Sequence, residues 1–306
     1  MKRVSIISAA VLLAACGQAP KEKADNKEEA RKEIALKPYP EVRKDSVVDD
    51  YYGTQVPDPY RWLENDTSAE TAAWVKAQNE VSFDYLAQIP YRDQIRERLT
   101  ELWDYEKVGT PFKHGDYYFI YKNDGVQNQS VLYYQKGLDG TQEVLLDPNT
   151  LSDDGTASIN GMGFSKDGKY MAYGISRAGS DWVTIQVMQL DNKQMLSDKV
   201  EYVKFSGISW QKDGFYYSAY EPPKEGSDYS GKNEFHTVYY HQLGTEQSED
   251  KLIYRDGKYP LRNAGGGVTK DEEYLLISTS ESTHGNALRI KKMGDDFKMM
   301  VNDFET

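Results

Sequence analysis

The sequence predicts a mainly β protein, built as about four blades of a β-propeller that follow a short segment of two helices. A turn-then-strand string recurs four times at similar spacing, and tyrosine, which is enriched in strands, occurs 24 times in 306 residues. The helical periodicity of the amino-terminal part also disappears after Val108. The net charge of −12 disfavours a nucleic-acid partner, because phosphate binding needs a basic surface.

Residues 1–15 are predicted to be a bacterial lipoprotein signal peptide. Lys2 and Arg3 precede an apolar run that is too short to span a bilayer, and the run ends in the string LAAC. A cysteine thiolate can accept a diacylglycerol, so we expect lipidation at Cys16, the only cysteine of the chain. The alternative is an ordinary secretory peptide that contains a chance cysteine.

Residues 16–37 are predicted to be a lipid-anchored flexible tether. They are strongly charged and contain no aromatic residue, a composition that does not support a packed core. The expected location is the bacterial cell envelope, in the periplasm, with the lipid anchor as the contact to the membrane.

Residues 38–105 are predicted to form a helical segment after an extended start. Prolines on both sides of Asp58 predict the extended stretch, and Thr67 with Glu70 then matches the capping box of a helix start. Two successive apolar stripes follow at helical spacing, formed by Trp74, Ala77, Val81 and Tyr85 and by Ile95, Leu99, Leu102 and Trp103. Such stripes need another surface to cover them.

Residues 106–306 are predicted to be propeller blades. The recurring strings FKHGDYYFIYKND, FSKDGKYMAYGIS, WQKDGFYYSAY and VTKDEEYLLISTS start at Phe112, Phe164, Trp210 and Val268. Successive units are thus 52, 46 and 58 residues apart, and each is followed by a second pair of strand-like runs. Four strands in about 50 residues are typical of a propeller blade.

The Lys-Asp-Gly element of these strings has a local structural explanation. Gly168 or Gly214 can adopt the positive φ that closes a tight turn, and the aspartate can accept hydrogen bonds from nearby amides. The apolar run after the turn, for example residues 274–277, shows no regular alternation of apolar and polar residues. This predicts a strand that is covered on both faces by neighbouring blades. The repeat is therefore architectural.

No catalytic or metal-binding motif is recognisable from the residues alone. The nucleophile-elbow pattern G-x-S-x-G does not occur, and no spacing of acidic residues matches a calcium-binding loop. His236 and His241 are five residues apart in a β run, so they should point to opposite faces and make a poor metal pair. His114 and His284 stand beside turn glycines and are expected to be exposed. We expect no metal and no cofactor.

Several strings together resemble one family, namely DPYRWLEN, VKAQNEVSFDYL, RERLTELWDYEK, NQSVLYYQ, LLDPNTLSDDGT, AGSDWVTIQVM, VKFSGISW and VYYHQLGTEQSED. They resemble prolyl oligopeptidase (prolyl endopeptidase), and the resemblance extends from about Tyr39 to the end of the chain. It implies a seven-bladed propeller that caps an α/β-hydrolase domain, on which the helical segment packs. The substrates would be short proline-containing peptides.

The resemblance also implies where the catalytic and substrate-binding residues belong. The family's Ser, Asp and His triad follows the propeller, so we expect no catalytic residue in these 306 residues and no activity without the missing hydrolase domain. Phe205 matches a residue that reaches into the substrate cavity, with blade packing as the alternative. Ser280 lies in a cavity-facing segment where relatives often carry a basic residue, which leaves contact with a substrate carboxylate open.

Two function classes follow. The first is the amino-terminal part of a proline-specific serine-type oligopeptidase, in which the propeller gates and lines the cavity, and whose hydrolase half could also be encoded separately. The alternative is a lipid-anchored propeller that serves as a binding or scaffold module without catalytic activity.

Overall fold

A computed structural model describes residues 34–304, apart from 225–230 and residue 283. The predicted signal peptide, the lipidation site Cys16 and most of the predicted tether lie outside the described residues. Within the described part, no helix is long and apolar enough to cross a membrane.

The amino-terminal segment contains a small hairpin and helices. Its elements are β1 (Val48–Tyr51), β2 (Thr54–Pro57), a 3₁₀ helix (Arg61–Glu64), α1 (Ala69–Ala87) and α2 (Arg92–Trp103). The stretch predicted to be extended thus forms, in part, a β-hairpin. Arg61 holds the hairpin to the following turn through ion pairs with Asp49 and Asp58.

The cap of α1 differs from the predicted one by a residue. The Ser68 hydroxyl accepts a hydrogen bond from the Thr71 amide at 3.0 Å, so Ser68 is the N-cap. The Thr67 hydroxyl donates instead to the Asn65 side chain at 3.0 Å. The predicted box of Thr67 and Glu70 is therefore wrong, because the chain enters the helix one residue later.

The two helical stripes are covered to different extents. Val81 of α1 is buried and Trp74 is half-buried, whereas no residue of α2 is buried. The large apolar residues of α2 are between 51% and 62% exposed, namely Ile95, Leu99, Leu102 and Trp103. The stripe of α2 therefore lacks a covering surface in the described part of the chain.

Four antiparallel blades, arranged in three sheets, follow the helices. Blade 1 contains β3 (Lys107–Val108), β4 (Phe112–His114), β5 (Tyr117–Asn123), β6 (Val131–Lys136) and β7 (Glu143–Leu146), and blade 2 contains β8 (Ser158–Phe164), β9 (Tyr170–Ser176), β10 (Val183–Gln189) and β11 (Met195–Val203). Blade 3 contains β12 (Ser209–Gln211), β13 (Gly214–Ala219), β14 (Thr237–Gln242) and β15 (Lys251–Arg255), and blade 4 contains β16 (Arg262–Val268), β17 (Tyr274–Glu281), β18 (His284–Lys292) and β19 (Lys298–Asp303).

This arrangement confirms the predicted partial propeller. In blade 1, β3 and β4 both pair with β5, so together they take the place of the first strand. Blades 2 and 3 are joined in one sheet by the single pair Val203 and Ala219. The recurring string of each blade covers the hairpin between its first two strands.

The turns of these hairpins use different residues for the left-handed position. In blade 2, Gly168 has φ +70°, as predicted, and the Asp167 carboxylate accepts from the Lys169 amide at 3.1 Å. In blade 3, however, Lys212 takes φ +53°, and Gly214 is already the first residue of β13. The close approach of His241 leaves no room for a Cβ at Gly214, so packing explains that glycine better than turn geometry.

Hydrophobic clusters lie between successive blades. Phe119 and Met171 belong to the cluster between blades 1 and 2, and Phe215 belongs to the one between blades 2 and 3. Leu275 and Ile277 pack against blade 3, but Leu276 between them is partly exposed. The prediction that 274–277 is covered on both faces is wrong, because the second face of blade 4 has no neighbouring blade within the described residues.

Candidate functional site

The connections between strands emerge on two opposite faces of the blades. Antiparallel strands alternate in direction, so the turns after the first and third strands lie on one side and the other connections lie on the opposite side. We define the upper face as the side that carries the connections 177–182, 204–208 and 256–261. Phe205 lies on this face, and Ser280 lies near the end of β17 that reaches it.

Phe205 stands in the connection between blades 2 and 3. Its side chain is 61% exposed, and its backbone has φ +50°, an uncommon conformation for a residue with a Cβ. The next residue fixes this geometry, because the Ser206 hydroxyl accepts a hydrogen bond from the Ser218 amide at 2.7 Å. The ring borders a cavity of about 270 Å³ on the upper face, next to Asp181. Its role, as a substrate contact or as a packing residue between blades, stays a prediction.

Ser280 does not line the cavity of Phe205. It is half-buried in β17, where it pairs with Asn263 on one side and Asn286 on the other. The Asn263 side chain in turn accepts a hydrogen bond from the Tyr220 hydroxyl at 2.7 Å. The two cross-strand partners of Ser280 are thus polar and uncharged.

Lys204, which the sequence did not single out, lies beside Phe205. Although it is charged, the residue is only 8% exposed, and its ammonium lies 4.8 Å from the centre of the Trp182 ring and 5.4 Å from that of Phe205. The nearest carboxylate oxygen belongs to Asp181, at 3.7 Å. Its position in the connection after β11 is compatible with a surface lysine, so only the tertiary contacts identify it.

His236 connects this part of the upper face to blade 4. The Ala264 amide donates to its Nδ1 at 3.1 Å, so Nε2 carries the proton and donates to the main-chain oxygen of Lys204 at 2.8 Å. Burial lowers the pKa of His236 to about 4, which keeps the ring neutral. The histidine therefore positions the main chain of Lys204 and does not act as an acid or base.

His241 lies in a separate buried cluster between blades 2 and 3. Its Nδ1 is 2.7 Å from Asp250 and its Nε2 is 3.2 Å from Asp198, and the Gly244 amide and the Tyr217 hydroxyl donate to the two carboxylates. Burial opposes the charged ring, but the two carboxylates outweigh it and raise the pKa of His241. The cluster joins two blades and contains no hydroxyl nucleophile in contact with the histidine ring.

The expectation of an exposed His114 is wrong. His114 is half-buried at the end of β4, stacks on Phe164 at 4.9 Å and donates from Nε2 to the Ser165 main-chain oxygen at 2.8 Å. It joins blade 1 to blade 2. Among the described residues, no group of three or more His, Cys, Asp or Glu side chains is arranged to hold a metal ion.

Comparison with known proteins places these blades in context. A sequence model described as "Prolyl oligopeptidase, N-terminal beta-propeller domain" matches residues 39–306. The prolyl endopeptidase of Elizabethkingia miricola is 48% identical over 271 residues, which cover 88% of this chain and 38% of the relative. Prolyl oligopeptidase A of Amanita bisporigera is 37% identical over 84% of this chain and 38% of its own length.

Solved structures give the same result. One from a structural and mechanistic study of two prolyl endopeptidases has a TM-score of 0.77 at 31% identity, covering 87% of this chain and 40% of that chain. Prolyl oligopeptidase B of Galerina marginata, bound to a 35-residue hydrolysis and macrocyclization substrate, has a TM-score of 0.72 at 31% identity, covering 87% and 41%. This chain spans about two fifths of the length of the relatives it matches.

Proposed function

This chain belongs to the prolyl oligopeptidase family as its amino-terminal β-propeller domain, and on this premise we propose that it forms the propeller part of a proline-specific serine peptidase. The observation that carries the proposal is the family match over residues 39–306, which coincides with the helices and the four blades. The propeller would gate and line a cavity that admits short proline-containing peptides.

The chemistry in this proposal comes from an α/β-hydrolase domain and not from residues 1–306. A serine would attack the peptide carbonyl, a histidine would take its proton, an aspartate would orient the histidine, and an oxyanion hole would stabilise the intermediate. The histidines with described side chains are occupied otherwise, since His114 and His236 donate to main-chain oxygens and His241 is bound by carboxylates. This supports a division of labour between the two domains.

The exposed stripe of α2 supports the proposed docking of that hydrolase domain. A helix is stabilised mainly by packing of its apolar face, yet Leu99 and Trp103 are 57% and 62% exposed. We propose that the hydrolase domain covers this stripe. Further blades would cover the open side of blade 4, where every residue of β19 is exposed, Met300 and Val301 among them.

On the upper face, we propose that Phe205 packs against a substrate side chain. Its exposed ring and the adjoining cavity support this role. Ser280 can donate or accept a hydrogen bond but supplies no positive charge, so it would contact a substrate through polar, uncharged groups.

The decisive experiment joins residues 1–306 to the carboxy-terminal remainder of the Elizabethkingia miricola prolyl endopeptidase. This chimera should release the fluorophore from a Gly-Pro reporter peptide, and a serine-reactive phosphonate should block the reaction. Residues 1–306 alone should show no turnover. Phosphonate-sensitive turnover by 1–306 alone would contradict the proposed absence of the triad, whereas a folded but inactive chimera would favour a binding module.

Reading the coding DNA beyond the codon for Thr306 in all frames gives an independent test. Further blade strings followed by G-x-S-x-G and by downstream Asp and His support the peptidase proposal. Unrelated sequence there leaves two alternatives, the binding module and a separately encoded hydrolase half, and the activity of the chimera distinguishes them.

We also propose lipidation at Cys16 and a periplasmic location in a bacterial cell envelope, supported by the basic start, the short apolar run and the string LAAC. Cells that express the chain should incorporate labelled palmitate into it, and Cys16→Ser should abolish the label. A labelled Cys16→Ser protein would refute the lipidation site.

A further inference from the structure

The ammonium group of Lys204 is on a nearly buried side chain and has few polar partners. Its side chain is 10% exposed, and Asp181, at 3.7 Å, is too far for a hydrogen bond and is itself 64% exposed. No hydrogen bond joins the ammonium to another residue of the described part of the chain. An ammonium has three donors, and among the described residues only the Asp181 carboxylate, at 3.7 Å, lies near those of Lys204. The ammonium can therefore take a further acceptor.

The position of this ammonium is fixed from several sides. His236 holds the main-chain oxygen of Lys204, and Ser206 ties the following turn to β13. The rings of Trp182 and Phe205 hold the side chain at 4.8 and 5.4 Å. A charged group held in this way is pre-organised, so a ligand that reaches it does not have to order the lysine first.

The neighbouring cavity offers room for a ligand that is partly apolar. Its volume is about 270 Å³, and Val183, Ile185 and Val203, all buried, contribute to its lining. Phe205 and Asp181, the two neighbours of the Lys204 ammonium, also line it. Lys204 does not itself line the cavity, so a ligand with an apolar body there would reach the ammonium with its anionic end past Asp181 and Phe205.

We propose that Lys204 is the carboxylate-binding residue of a substrate subsite on the upper face, so that the protein favours peptides with a carboxylate at a distance from the proline. This inference rests on the proposed function, since peptides are the ligands that such a peptidase encounters. The carboxylate can come from an acidic side chain or from the carboxyl terminus of a peptide. Both present the same oxygens to a point charge such as an ammonium.

Binding of matched peptide pairs to the full chain of 306 residues, measured by calorimetry, tests the subsite without any need for turnover. One pair is acetyl-Glu-Gly-Gly-Pro-amide and its Gln analogue, and the other is acetyl-Gly-Gly-Pro-Gly-Gly with a free or an amidated carboxyl terminus. The anionic member of at least one pair should bind about tenfold more tightly. The pair that differs identifies the source of the carboxylate, and equal affinities in both pairs overturn the proposal.

Variants then assign the effect to Lys204. Lys204→Met keeps the aliphatic stem and should abolish the difference within the pair, whereas Lys204→Arg should retain most of it. The matched control is Lys199→Met, at an exposed lysine of the preceding strand β11 that pairs with Glu201, and it should change nothing. If Lys204→Met keeps the preference for the anionic peptide, the assignment to Lys204 is wrong.

Asp181→Asn gives a second test, which can be carried out even if the Lys204→Met variant does not fold. Removing the competing carboxylate should tighten binding of the anionic peptide about threefold, through reduced repulsion. A purely structural ion pair predicts unchanged or weaker binding, which would count against the subsite. Turnover by the chimera is measured separately, so the peptidase proposal and the subsite proposal can fail independently.

Discussion

Blades 3 and 4 follow the same four-strand plan, but only blade 3 is covered on both faces. Every residue of β13 is buried, because the strand lies between blades 2 and 4. In β17, the corresponding strand of blade 4, buried and partly exposed residues alternate over most of the strand. An apolar run therefore specifies a strand that can be buried on both faces. Whether both faces are in fact buried depends on the presence of a neighbouring blade on each side.

The same comparison extends to the helices. Val81 of α1 is 6% exposed, whereas Leu99 of α2 is 57% exposed, although both belong to equally regular apolar stripes. Helix α2 and the outer side of blade 4 are thus two places where the described chain has apolar surface without a cover.

The largest expected effect concerns two adjacent leucines of β17. Leu275 is fully buried and Leu276 is partly exposed. Leu275→Ala should lower the free energy of unfolding by about 3 kcal/mol, because it leaves a cavity, and Leu276→Ala by only about 1 kcal/mol. Urea denaturation of the two variants measures the difference.

The chimera provides the control for this pair. If further blades cover the outer side of blade 4, Leu276→Ala in the chimera should destabilise it nearly as much as Leu275→Ala does. Equal effects of the two substitutions in the 306-residue chain would contradict the exposed outer side of blade 4.

The next effect concerns the pH dependence of blade 3. The pKa of His236 falls from an ordinary value of 6.5 to about 4 on folding, so the unfolded chain takes up the proton first and stability is lost as pH falls below 6.5. Between pH 8 and pH 5 this histidine should account for a loss of about 2 kcal/mol. His236→Gln can keep both hydrogen bonds and should remove this part of the pH dependence, as measured by denaturation at each pH.

The pKa of His241 is shifted in the opposite direction to that of His236, so its pH dependence should have the opposite sign. Despite its burial, the carboxylates of Asp250 and Asp198 raise its pKa, so its stabilising contribution is complete below pH 6.5 and is lost as pH rises through the raised value. His241→Gln should therefore flatten the alkaline side of the stability profile and leave the acid side to His236. A change of the same sign in both variants would contradict the assigned proton positions.

The smallest expected effect is at the start of α1. Ser68→Ala removes the hydroxyl that accepts from the Thr71 amide and should destabilise the protein by about 1 kcal/mol. Thr67→Ala is the matched control, since its hydroxyl contacts only the Asn65 side chain, and it should change stability by less than about 0.5 kcal/mol. The reverse order in thermal denaturation would restore the cap predicted from the sequence.

Much of the fold could be read from the residues, because it rests on local patterns. The recurring strings located the hairpins of all four blades, and the stripe spacing located both helices. The sequence-based predictions were wrong where tertiary contacts decide which of two neighbouring residues takes a structural role. Ser68 and Thr67 are chemically similar caps, and the role of Gly214 is decided by the approach of β14.

The candidate site was less accessible to sequence reasoning. Family resemblance led to Phe205 and Ser280, but nothing in the sequence distinguished Lys204 from the other lysines. The cluster of His241 with Asp198 and Asp250 also gave no signal, because the two aspartates are 43 and 9 residues from His241 and the cluster spans two blades. Such contacts depend on how sheets stack.

The sequence by itself determined the order of helices and blades, the turn positions and the family, because turns and periodicity are properties of short stretches of chain. Only the tertiary structure decided which faces are buried, that burial lowers the pKa of His236 while carboxylates raise the pKa of His241, and that Lys204 lies between Trp182 and Phe205. The physical reason is that burial and electrostatic environment arise from groups distant in sequence, which come together only when the blades pack.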